Sequence, residues 1–67
     1  MPTDLDIYRS ANLLVQQHGA GAAAEADRRA EAMRAKGDAE GASVWRRVAA
    51  AAVEIQRQAR QADQALH

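Results

Sequence analysis

Two imidazoles (His18 and His67), three hydroxyls of the nucleophile type (Thr3, Ser10 and Ser43) and nine carboxylates are what this chain offers to acid–base, nucleophilic or metal chemistry. A zinc site takes three or four ligands, usually Cys or His at set spacing, and no such set is present. Activating a hydroxyl requires a base within hydrogen-bond reach. His18 stands two turns from Ser10 on the helix they would share, too far for contact, and Ser43 lacks the setting of a nucleophile elbow. The run Gly37-Asp38-Ala39-Glu40-Gly41 has the acidity of a cation loop. An EF-hand, however, continues with oxygen ligands to a glutamate at its twelfth position, whereas here the chain turns into helix. Gly19 and Gly21 lack the strand, further glycines and lysine of a phosphate loop. The expectation is therefore no catalytic residue, no metal, no cofactor and no enzyme.

The arginines are the remaining chemical feature, eight of the nine cations being arginine. Arg46, Arg47, Arg57 and Arg60 would share one helix and invite a nucleic-acid reading, in which a dimer gathers them into a patch. Glu54 and Asp63 interrupt the series, and Trp45 and Tyr8 alone are available for stacking, so a solvated face explains the arginines better and nucleic acid is the secondary reading. Nine basic and nine acidic residues cancel overall. Residues 1–40 carry five basic and seven acidic groups (net −2) and residues 41–67 four and two (net +2), an asymmetry that favours head-to-tail or antiparallel association. Arginine suits bidentate pairing with carboxylates better than lysine does.

The elements that must position these residues follow from the backbone punctuation. Proline occurs only at position 2 and glycine at 19, 21, 37 and 41, which predicts an all-α fold of three helices. The first begins with Thr3 or Asp4 as N-cap, carries Asp4 and Asp6 at the positive end of its dipole, and stops at His18 with Gly19 as a left-handed C′ residue. Its apolar line is Tyr8, Ala11, Leu14, Val15 and His18, with Ile7 beside it. The second runs from about Ala22 to Lys36 before Gly37, burying Ala22 or Ala23, Ala26, Ala30 and Met33. The third starts after the N-cap Asp38 and continues to about Ala65. Gly41 in its first turn implies the close approach of another helix. Along it Gly41, Trp45, Val48, Ala52, Ile55, Ala59, Ala62 and Leu66 alternate spacings of 4 and 3, a sustained heptad seam. Residues 58–67 are polar enough to be frayed or partner-dependent.

Tyr8 to Val15, His18-Gly19, and Gly37-Asp38-Ala39-Glu40-Gly41 leading to Trp45 and Val48 carry a further signal. Over residues 4–57 this pattern resembles a family of short alphaproteobacterial proteins known only as a domain of unknown function. The resemblance implies an uncharacterised bacterial helical protein, and it brings no activity, ligand or catalytic residue with it.

Alanine accounts for 18 residues, and apart from Met1 only 13 larger apolar side chains remain. Such a core in one small domain, residues 1–67 with no cysteine to staple it, is expected to be marginal. Two short antiparallel helices packed on the N-terminal half of the long C-terminal one, through Tyr8, Leu14, Val15, Met33, Trp45, Val48 and Ile55, leave the remainder of the seam over. The seam residues Val48, Ala52, Ile55, Ala59, Ala62 and Leu66 are thus the expected interface of a homodimer, with antiparallel third helices, or of an unidentified protein partner. No apolar run approaches the ~20 residues of a spanning helix, and the opening residues are acidic where a signal peptide is basic, so a cytoplasmic address away from membranes is expected. The functional expectation is a protein–protein interaction or adaptor module.

Overall fold

A computed structural model describes residues 2–65, with side chains through Asp63. The described residues form helix α1 (Asp4–His18), a 3-10 turn (Gly19–Gly21), α2 (Ala22–Ala35) and α3 (Ala39–Ala65). Three separately punctuated helices were expected. Instead helix persists from Asp4 to Ala35 through the 3-10 turn, so the described residues are all-helical with two helical stretches, joined α1 and α2 followed by α3. The reason lies at the glycines. Gly19 has the expected positive φ of 55°, but its ψ of −127° lies outside the left-handed helical well, and Gly21 returns at once to negative φ. The Ala22 N–H then donates to the Gly19 carbonyl, and helical turns resume.

The other boundaries are side-chain and backbone caps. At the start of α1 the Thr3 hydroxyl accepts from the Asp6 N–H (3.2 Å), while the Asp6 carboxylate accepts from the Thr3 N–H (3.3 Å), closing a capping box. α2 ends in a Schellman motif, in which the Asp38 N–H donates to the Met33 carbonyl (2.9 Å) and Gly37 N–H to that of Arg34 (3.0 Å). Gly37 supplies the positive φ (82°) that this motif needs. Asp38 then caps α3, its Oδ1 accepting from the Gly41 N–H at 2.8 Å. A Cβ on Gly41 would lie 2.5 Å from Asp38 Oδ2, and its three nearest neighbours are all atoms of that carboxylate, so the cap comes before any helix as the group closest to Gly41.

Contacts at the ends of the helices give their directions. Asp4 meets Arg47 and Gly19 meets Gln56, so α1 advances along α3 in the same sense. After the turn α2 comes back, and Arg29 and Glu31 reach Trp45 and Arg46 near the beginning of α3. A link of only three residues, Lys36 to Asp38, makes α2 and α3 antiparallel neighbours.

The core lies where α1 and α2 cover the middle of α3. Ile7, Ala11 and Leu14 of α1, Ala22 and Ala26 of α2, and Val48, Ala49 and Ala52 of α3 form one buried cluster. Alanine at most of these sites lets the backbones approach closely, and Ile7, Leu14 and Val48 are the larger side chains buried among them, with Val15, Val44, Trp45 and Ile55 packed against the cluster. Tyr8, expected in the core, is instead 42% exposed. The line that α1 buries runs through Ile7, Ala11 and Leu14, and Tyr8 is roughly 100° round the helix from Ile7.

Candidate interaction surface

Trp45 sits half-buried on the rim of the core, with the Arg29 guanidinium 4.9 Å from its ring centroid. Arg29 Nε also donates to Glu25 Oε2 (2.8 Å), and Arg28 holds both oxygens of the same carboxylate at 2.9 and 2.6 Å. The hydrogen bonds from Arg28 and then Arg29 bring the Glu25 carboxyl from its ordinary 4.5 down to about 2. The cluster joins α2 to α3 and fixes the tryptophan ring, and each charge in it already has a partner.

The same holds for most of the α3 arginines. Arg47 donates to Asp4 Oδ1 (2.7 Å), Arg46 stands 3.9 Å from Glu31, and Arg57 grips both oxygens of Glu54 at 3.1 and 2.6 Å. The Arg57 bonds hold the Glu54 carboxyl below the usual carboxylate range. Arg60 lies instead beside a shallow cleft of about 290 Å³, lined also by Gly19, Ala20, Gln56 and Ala59.

The residues expected to form the seam divide into three groups. Val48 and Ala52 are buried in the chain's own core, in one cluster with residues of α1 and α2. Ile55 is half-buried at the edge, and Ala59 and Ala62 are exposed. Leu66 falls outside the described residues, as does His67. Of the expected core, Leu14 is buried, while Val15, Met33 and Trp45 are half-buried. Leu5, Leu13 and Val53 join Tyr8 as large apolar side chains open to solvent. Leu5 and Leu13 lie towards the flanks of the α1 apolar line in sequence, in keeping with their exposure.

The covered part of the seam ends near the Gly19–Gly21 turn, where the Gln56 side-chain amide donates to the Gly19 carbonyl. α3 continues beyond that clasp, and the molecule, 47 Å in its long dimension, is only 22 and 15 Å in the others. Exposed residues fill every described position from Arg57 to Asp63.

Among the described residues no group of three His, Cys, Asp or Glu side chains is placed to hold a metal ion. No helix among them is long and apolar enough to cross a membrane. Comparison with protein-family models, with curated proteins and with solved structures finds no match to this chain.

Proposed function

We propose that this chain is a small helical interaction module, a helix pair laid on a longer third helix, that works as a homodimer through helix-on-helix contacts. The observation that carries this reading is the continuation of the α3 apolar line past the Gln56–Gly19 clasp, with Ile55 half-covered and Ala59 and Ala62 open to solvent. An alanine face permits helix axes to approach near the 8 Å lower limit of usual packing. The scarcity of large buried side chains adds to it, since small cores commonly draw stability from association. The nucleic-acid alternative loses support from the carboxylate partners of Arg46, Arg47 and Arg57. A bacterial origin, kinship with the family whose motif the sequence resembles, and a cytoplasmic address belong to the same proposal. On that reading the motif's His18-Gly19 and Gly37-Asp38 are helix-end punctuation and Trp45 an anchor between α2 and α3.

The test is molar mass in solution over a dilution series, for the wild type and for Ile55→Asp and Ala62→Arg. A wild-type dimer that Ala62→Arg, altered at an exposed site, turns into a helical monomer supports the reading. A wild type that stays monomeric to the highest concentration overturns it.

A further inference from the structure

Where the second copy binds follows from how α1 is held, an inference that rests on the homodimer reading. α1 is fastened to α3 by one polar contact at each end, Asp4 with Arg47 and the Gly19 carbonyl with Gln56. Between these contacts Ile7, Ala11 and Leu14 lie in the same buried cluster as Val48, Ala49 and Ala52. None of these contacts depends on α1 and α3 belonging to the same copy.

What keeps them in one copy is the three-residue turn. Residues on both sides of it are helical, so the turn interrupts an otherwise continuous helix from Asp4 to Ala35. It rests on the φ of 55° and ψ of −127° at Gly19, values that side chains other than glycine's rarely adopt. A Cβ placed on Gly19 or Gly21 would meet nothing within 4 Å, so the side-chain positions of the turn are open, and the polar contact that holds it to α3 is the bond from the Gln56 amide to the Gly19 carbonyl. If residues 19–21 wind into regular helix, the segment 4–35 becomes one rod of roughly 48 Å at 1.5 Å per residue. Such a rod carries α1 away from its own α3.

We propose that the Gly19–Gly21 turn is a hinge through which two copies exchange α1, each α1 docking on the Val48–Ala52 face of the other copy's α3. The occupant is fixed by the fold itself, because the surface uncovered when α1 leaves is the one to which α1 is already complementary. Exchange of an identical element gives a closed two-fold dimer that keeps every α1–α3 contact. It also places Val48 and Ala52 at an interface between chains, made by α1, beside the half-buried Ile55 and the exposed Ala59 and Ala62 of α3.

The chain has no cysteine, so single thiols can be introduced without background. Asp4→Cys and Arg47→Cys variants are mixed at dimer-forming concentration and treated with a short bis-maleimide, with Asp4→Cys plus Gln61→Cys as the control mixture. Exchange predicts a mixed Asp4→Cys/Arg47→Cys adduct at least several-fold above the control. A second arm replaces Gly19 and Gly21 together by alanine, which favours continuous helix. There the dimer dissociation constant falls tenfold or more while helix content is kept. A wild-type dimer that gives no excess of the mixed adduct overturns the exchange and leaves the homodimer reading standing. A chain that stays monomeric in both arms overturns both, and a double-alanine variant that loses helicity without dimerising overturns the hinge.

Discussion

The Arg29 guanidinium lies over the Trp45 ring at 4.9 Å while its Nε bonds Glu25, so one arginine ties the first turn of α2 to the first third of α3. Arg29→Ala removes a cation–π contact of about 0.5–1 kcal/mol at a partly exposed site. Because Trp45 is the only tryptophan, its emission reports the change directly. The expected outcome is a red-shifted emission and a lower midpoint in urea, whereas an unchanged spectrum would show that the ring is held without the arginine.

Glu25 makes stability depend on acid. Its folded pKa of about 2 lies below its ordinary 4.5, because Arg28 and then Arg29 hydrogen-bond the carboxylate. A depressed folded pKa means that the unfolded chain takes up the proton first, so this contribution is complete above pH 4.5 and drains away as pH falls towards 2. The melting temperature should drop across that window in the wild type and drop less steeply in Glu25→Gln. Glu54 acts in the same direction through Arg57.

Leu14 and Leu13 are neighbours in sequence with opposite surroundings, 3% and 54% exposed. Leu14→Ala should cost about 2–5 kcal/mol, the range for truncating a buried leucine, enough to unfold much of so small a chain. Leu13→Ala should change stability by under about 0.5 kcal/mol, as exposed substitutions usually do. Parallel urea titrations decide it, and equal losses would contradict the orientation of α1.

The α2–α3 corner gives a third contrast. Gly37→Ala places a Cβ at φ 82° and should destabilise by about 1–2 kcal/mol, the cost of a left-handed conformation for an L residue. Asp38→Ala removes the cap on the Gly41 N–H and should cost about 1 kcal/mol. Gly41→Ala pushes on the capping carboxylate, with a Cβ 2.5 Å from Asp38 Oδ2, but gains helix propensity, so its net cost should be smaller than that of Asp38→Ala. Thermal melts of the three variants should rank them in that order.

Helix ends were legible because they are written in local chemistry. Thr3, Asp38 and Gly37 each act within a few residues of themselves. Tyr8 was misplaced because Ile7 and Tyr8 sit on adjoining lines of one helix, and only the packing of α1 on α3 selects between them. The seam is ambiguous in a related way. Periodicity shows that Val48 and Ala52 want burial but carries no information on what buries them. The ion pair of Asp4 with Arg47, 43 positions apart, has no sequence signature at all.

Among the described residues, seven of the ten buried side chains are alanine. Exposure of apolar surface is what raises the heat capacity of an unfolding chain, and methyl groups expose little of it. This fold should therefore melt with a small heat-capacity increment, its stability varying gently with temperature and persisting in the cold, where proteins with large apolar cores begin to weaken.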